Sequence, residues 1–170
     1  PAGRILDIGC GRGTLLARFL DGRHEPWGVE ISEVLARDAN ELFAGHGGRC
    51  IHSDTVSGLN ALAQDHFDGI IMSSYLEHEI EPLAVCEGIS RCLKPGGHVV
   101  IKVPNYASWN RLVRGARWCG YRFPDHVNYF APASLAGLIG AVGLQVARFR
   151  WQDRFPTSDN MWLVARRDGG

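Results

Sequence analysis

Three glycines at alternate positions, Gly9, Gly11 and Gly13, stand between an apolar run that closes on Asp7-Ile8 and a second that begins at Thr14-Leu15-Leu16. Glycine permits positive φ and carries no Cβ, so a ligand can approach such a loop's backbone closely. The N–H groups opening the helix that follows have no partners within it and can donate to that ligand. The spacing selects among nucleotide-like ligands. A dinucleotide fold needs G-x-G-x-x-G with its third glycine in the first helical turn, but position 14 is Thr, which disfavours a nicotinamide cofactor. An acidic residue just before the glycines is ill suited to a pyrophosphate. It suits a ligand that carries an amino group and a sulfonium.

Two further carboxylates stand where strands should end. Glu30 falls near the close of Pro26-Trp27-Gly28-Val29-Glu30-Ile31, and Asp54 follows Arg49-Cys50-Ile51-His52-Ser53. In a parallel α/β sheet the carboxyl ends of neighbouring strands meet in one crevice. There Glu30 can accept both hydroxyls of a ribose, and Asp54 can accept from the exocyclic amine of an adenine. Each residue also has a plainer reading, Glu30 as a helix N-terminal charge favoured by the macrodipole and Asp54 as a turn aspartate. His78 and His126 are the candidate general bases, because an imidazole titrates near neutral pH. Equally, Leu76-Glu77-His78 reads as a helix start, and a histidine in a loop can simply hydrogen-bond.

The elements that must position these groups alternate between strand and helix. Ile5–Ile8 is the first strand, with a helix from near Arg12. The second strand is 26–31, followed by a helix over 33–39 with Ser32 at its N-cap. A third strand covers 49–53 and a short helix 59–63. The fourth strand, 67–72, is a continuous apolar run of the buried kind. A helix runs to about Leu93, and Lys94-Pro95-Gly96-Gly97 turns the chain into a fifth strand up to Val103. After a helix through Ala141, ended by Gly143, strands follow at 144–150 and 160–167. Residues 104–131 break the alternation. Seven of these 28 residues are aromatic, a density that fits a lid over an organic substrate or a flap whose rings pack together. Arg111, Arg114 and Arg117 recur every third residue, as on one side of a helix. They could meet a phosphate or carboxylate on the substrate, or form a solvated face.

Asp7-x-Gly9-x-Gly11-x-Gly13, a strand beginning Phe67-Asp68, then Leu76-Glu77-His78 and Leu93-Lys94-Pro95-Gly96-Gly97 together resemble the class I S-adenosylmethionine (SAM) methyltransferases. The likeness is to their small-molecule branch, which includes ubiquinone-pathway and sugar- or antibiotic-modifying O-methyltransferases. It covers residues 4 to 105, and the order His126, Tyr129-Phe130, Ser134-Leu135, Gly143-Leu144 extends it into the tail. The resemblance implies a Rossmann-like, doubly wound, mostly parallel seven-stranded sheet with an antiparallel C-terminal strand. It implies one domain over 1–170, with a substrate-lid insertion at about 104–131. It implies SAM held by Asp7, Gly9, Cys10, Gly11, Gly13, Glu30, Ile31, Asp54, Thr55 and Ser73, with Ile31 against the adenine and Ser73 near the methionine end. It implies methyl transfer to a small-molecule acceptor, more readily at oxygen, with His78 or His126 as base. A SAM-binding regulatory module without turnover is the alternative. Some relatives hold a divalent metal on Glu-x-x-Glu-His plus a later residue. Here Glu77 and His78 match but Ser74 stands in the first glutamate's place, so no metal is expected.

The bulk composition agrees. At 170 residues, 45% hydrophobic and 21% charged, the chain is sized for one globular domain. A formal net charge of zero gives no electrostatic grip on nucleic acid or an anionic membrane. The five cysteines, at 10, 50, 86, 92 and 119, are scattered without a C-x-x-C, which points to buried thiols in a reducing compartment. With no apolar run of spanning length and no signal peptide, a cytoplasmic location is expected. The first residue is Pro rather than Met. The family's helix or two ahead of the first strand is missing, so preceding residues are expected to be absent.

Overall fold

Among the described residues, seven strands and six α-helices follow in the order β1 (Gly3–Ile8), α1 (Thr14–Ala17), β2 (His24–Glu30), α2 (Glu33–Ala44), β3 (Arg49–His52), α3 (Thr55–Ala61), β4 (Phe67–Ser73), α4 (Pro82–Cys92), β5 (Leu93–Pro104), α5 (Trp109–Arg114), α6 (Pro132–Ala141), β6 (Leu144–Phe149) and β7 (Asn160–Arg167). The computed structural model of the chain describes residues 3–18, 22–149 and 157–169. The strands form one sheet in the order β3-β2-β1-β4-β5-β7-β6. The first five pair in parallel, and β7 runs antiparallel to both β5 and β6. This is the doubly wound, mostly parallel sheet expected from the sequence.

Burial explains why the sequence reads differently along the two halves of the sheet. The ends of β1 and β2 are buried without interruption, as in strands covered on both faces. In β5 and β7 buried positions alternate with less buried ones. One face carries the main core, in which Leu6, Ile8, Ile70, Met72, Val99 and Ile101 meet Leu59 of α3, Val85 and Ile89 of α4 and Leu135 and Ile139 of α6. The other face carries a smaller cluster of Cys10, Leu16, Ala39 and Phe43. In α2 the buried Ala36, Ala39 and Phe43 recur at helical spacing and aim one stripe at the sheet.

Several boundaries differ from expectation for identifiable reasons. α3 begins at Thr55, ahead of the expected 59, because the Asp54 carboxylate accepts from Ser57 N at 2.9 Å and caps the helix there. β5 begins at Leu93, before the Lys-Pro-Gly-Gly turn. Phe67 pairs with Leu93, Gly69 pairs with His98, and the turn residues bulge out between these two registers. The three arginines do not share one helix. α5 ends at Arg114, Gly115 takes φ 50, and a separate 3-10 turn carries Arg117. Arg111 stacks over the Tyr106 ring at 4.1 Å. Within the same segment Tyr106, Trp118, Tyr121 and Tyr129 pack against one another edge-on or tilted, with centroids 5.3 to 6.3 Å apart. Arg150, expected at the end of the sixth strand, lies outside the described residues.

Phe43 joins helix packing to the glycine loop. Its ring lies 2.7 Å from where a Cβ on Gly13 would stand and 3.1 Å from one on Gly28. Phe43→Ala is expected to lower unfolding stability by about 3–5 kcal/mol, the ordinary cost of emptying a buried phenyl site, as measured by urea denaturation.

Candidate active site

A cleft of about 550 Å³ opens at the carboxyl ends of β1, β2 and β4. This is the crevice where strand order reverses on either side of β1. It is lined by, among others, Gly9, Glu30, Ile31, Asp54, Thr55, Tyr75 and Glu79. The loop after β1 takes left-handed φ at Gly9 (66), Gly11 (54) and Gly13 (76), which L side chains disfavour. Gly9 N donates to Val29 O at 2.9 Å, fixing the loop onto β2. Glu30 then closes it. Its Oε2 accepts from Gly11 N and its Oε1 from Ser32 N, both at 2.9 Å. A carboxylate oxygen has two lone pairs, so each keeps one for a ligand in the cleft. Ser32 stands at the N-cap of α2 as expected, but its side chain makes no capping bond.

Asp7 lies behind this wall, 2% exposed. Burial first, and then the charge of Glu30, push its carboxyl up to about 7. Two carboxylates beside an open cleft create a site whose unmet need is a cation. Asp54 is exposed, and the hydrogen bonds from Ser57 hold its carboxyl below the usual range. Ile31 is 72% exposed where it lines the cleft. The Tyr75 ring lies directly on the glycine loop, where a Cβ on Gly9 would come within 2.4 Å of it. Its hydroxyl bonds the Thr55 hydroxyl at 2.6 Å and the Glu79 carboxylate. A carboxylate only accepts, so the phenol donates to Glu79 and Thr55 donates to the phenol. Burial and then Glu79 raise the phenol's pKa.

Gly9, Glu30, Ile31, Asp54 and Thr55 therefore line the cleft, while the other residues expected there do not. Asp7 lies beneath it, and Gly11 acts through Glu30. Gly13 faces Phe43, the Cys10 sulfur turns away to Cys50 at 3.5 Å, and Ser73 stays in β4 paired with Lys102. Sequence reasoning missed Tyr75 and Glu79. They follow β4, and the strand-end rule that picked Glu30 and Asp54 could have found them.

A second, smaller cavity of about 220 Å³ adjoins the first, lined among others by Ser74, Glu77, Arg122, His126 and Asn160. His78 lines both cavities. The long connection after β5 is stapled to the 3-10 turn at Leu76–His78. Glu77 O accepts from Val127 N at 2.9 Å and Asn128 N at 3.0 Å. The His78 ring shares a hydrogen bond with Asp125 O, and the His126 ring one with Gly120 O, each through Nδ1 at 2.8 Å. A carbonyl only accepts, so both Nδ1 atoms carry protons and each neutral ring has Nε2 left to offer. The two rings meet edge-on, 4.6 Å between centroids. Glu77 is 1% exposed, its Oε2 has no hydrogen-bond partner among the described residues, and burial raises its pKa. One donor atom each from Glu77, His78 and His126 lies within 4.8 Å of the others. The three could hold a divalent cation, His126 supplying a donor where Ser74 offers no carboxylate.

The sequence profile described as a methyltransferase domain matches residues 1–148. Among curated proteins the chain is 27% identical over 169 residues to the ubiquinone biosynthesis O-methyltransferase of Ralstonia nicotianae, covering 95% of this chain and 71% of that one. It is 29% identical over 179 residues to the protein of the same name from Cereibacter sphaeroides, covering 97% and 69%. Among solved structures it is similar to a SAM-dependent methyltransferase from Archaeoglobus fulgidus, with TM-score 0.79, 19% identity and 98% and 86% of the two chains covered. A SAM-dependent methyltransferase from Mesorhizobium loti superposes with TM-score 0.74 at 18% identity, covering 98% and 91%.

The raised Asp7 carboxyl sets a pH dependence with a definite sign. Its folded value, about 7, exceeds the ordinary 3.8, so between those values the native chain holds a proton that the unfolded chain has lost. Stability conferred by this group is therefore lost as pH rises through that window. Unfolding free energies from about pH 5 to about pH 8 should fall more steeply for the ligand-free wild type than for Asp7→Asn.

Proposed function

The chain belongs to the class I SAM-dependent methyltransferase family, and on that premise we propose that it methylates a hydroxyl oxygen of a small molecule seated in the cavity beside His126. The observation that carries this reading is the position of His78 on the wall between the two cavities. A methyl donor in the larger cleft and an acceptor in the smaller one would meet across it. The name of these relatives, ubiquinone biosynthesis O-methyltransferase, supports an oxygen acceptor from quinone biosynthesis or a molecule of similar size. About 150 Å³ suffices for a benzene ring, so the smaller cavity, about 220 Å³, can take one ring and its substituents.

SAM supplies a methyl group on a sulfonium whose leaving group is already activated. What remains for the protein is alignment and exclusion of water. Glu30 offers its two spare lone pairs to the ribose hydroxyls, Asp54 its carboxylate to the adenine amine, and Ile31 a flat apolar cover. Glu30 provides a negative charge that favours the ligand's ammonium, and the ammonium in turn favours the ionised form of Asp7. An acceptor hydroxyl must lose its proton as the new bond forms. His126, held by Gly120 O with Nε2 free, takes that proton, and His78 fixes the edge of the imidazole pair. The buried Glu77 carboxylate favours the imidazolium that results.

The unpartnered Glu77 Oε2 favours one second reading, in which Glu77, His78 and His126 hold a divalent cation that would lower the acceptor's pKa as a Lewis acid.

Calorimetric titration with SAM and its demethylated product should give micromolar binding and none with NAD. Glu30→Ala should weaken SAM by at least about 100-fold, the loss of two hydrogen bonds to a charged group. With a panel of hydroxylated aromatic acceptors, His126→Asn should lower kcat by about 100- to 10,000-fold while leaving SAM affinity in place. Activity that survives EDTA assigns the proton to the imidazole alone. Activity lost to EDTA and restored by magnesium or zinc assigns it to the metal reading, and failure of every hydroxyl acceptor beside turnover of an amine would overturn oxygen as the target.

A further inference from the structure

Two thiols lie together under the glycine loop, and nothing in methyl transfer uses them. Cys10 sits between Gly9 and Gly11, and its Sγ is 3.5 Å from that of Cys50 on β3. β2 runs between β1, whose following loop carries Cys10, and β3, which carries Cys50, and opposite Cys50 its residue is Gly28. A Cβ on Gly28 would stand 2.5 Å from the Cys10 sulfur and 3.2 Å from the Cys50 sulfur. The missing side chain is therefore what lets two sulfurs meet across an intervening strand. Cys10 is buried, whereas Cys50 is partly open to solvent.

We propose that Cys10 and Cys50 form a reversible disulfide that locks the glycine loop to β3 and weakens SAM binding. A disulfide needs its sulfurs about 2.05 Å apart, so closure draws the pair together by roughly 1.5 Å. Cys50 cannot move far, since it pairs with Gly28 and its N donates to Asn40 Oδ1 at 3.0 Å. The shift falls on Cys10, and so on its neighbour Gly11, whose N–H holds Glu30 Oε2. The partly exposed Cys50 is the sulfur an oxidant reaches first. With hydrogen peroxide as oxidant, the Cys50 thiolate attacks one oxygen, an S–O bond forms, the O–O bond breaks, and hydroxide leaves and is protonated to water. The Cys10 sulfur then attacks the Cys50 sulfur. The S–S bond forms, the S–O bond breaks, and the departing hydroxide takes the Cys10 proton as a second water. Both sulfurs are oxidised and one peroxide is reduced. Occupancy of the cleft opposes closure to the same extent that closure opposes occupancy, because linkage is reciprocal.

The inference rests on the glycine loop being the SAM site, and the test separates the two. The whole chain is treated with hydrogen peroxide, and digested without reduction. Peptide mass spectrometry should find the peptide with Cys10 joined to that with Cys50, the pair lighter by two hydrogens and released by dithiothreitol. Calorimetry should show SAM binding at least 5-fold weaker after oxidation and recovered on reduction, and saturating SAM should slow formation of the linked peptide. Cys50→Ala, whose residue does not line the cleft, should bind SAM like the reduced wild type before and after peroxide. If that variant does not fold, Cys50→Ser serves the same comparison. A reduced wild type that does not bind SAM overturns the site reading. A reduced wild type that binds SAM but gives no linked peptide, or whose oxidised form binds SAM equally well, overturns the disulfide proposal alone.

Discussion

The bond pair on Glu30 is the interaction on which the site depends. One carboxylate accepts from Gly11 N and from Ser32 N. It thereby ties the turn after β1 to the start of α2 across the end of β2. The left-handed glycines can be held in one shape because these donors have a charged acceptor within reach. With Glu30 fixed, Asp7 has a like charge for a neighbour and little solvent, and its carboxyl rises accordingly. The result is a cleft whose backbone shape and electrostatics both anticipate a cationic nucleoside-like ligand.

A second staple brings the other half of the site into place. The connection after β5 is long, and its aromatic rings pack mainly on each other. What positions it is backbone pairing with the 3-10 turn after β4, where Glu77 O receives two N–H groups. The Asn128 side-chain amide adds bonds to Leu76 O and Glu79 O. At the base of the connection, Asp159 accepts from Trp118 Nε1 at 2.7 Å and Asn110 Nδ2 at 3.0 Å. These contacts set His126 beside His78, with a buried carboxylate next to both. Among the described residues no helix is long and apolar enough to cross a membrane.

The fold and the cofactor were legible because each rests on local chemistry. Alternating glycines demand positive φ, apolar runs of strand length demand a sheet, and a carboxylate at the end of a parallel strand must face the crevice. Glu30 and Asp54 follow from that register, whereas Ile31 and Thr55 came with the family resemblance. Asp54, whose plainer reading was a turn aspartate, instead caps α3 and also lines the cleft. Ser73 and Cys10 were less legible. The direction of a side chain at a strand's last residue or within a tight loop depends on which neighbour has left room for it. For Cys10 that room is over Gly28, one strand away.

The sequence by itself determined the layered sheet, the strand ends that make the crevice and the shape of the glycine loop, and the resemblance its motifs carry added the methyltransferase character. The sequence could do so because φ preference, capping and hydrophobic period act over a few residues. Only the tertiary structure decided that His126 meets Glu77 and His78, that Tyr75 lies on Gly9 and bonds Thr55 and Glu79, and that two thiols approach beneath the loop. Each of these pairs residues from elements far apart along the chain. Their distances follow from how helices and strands pack, which no local pattern encodes.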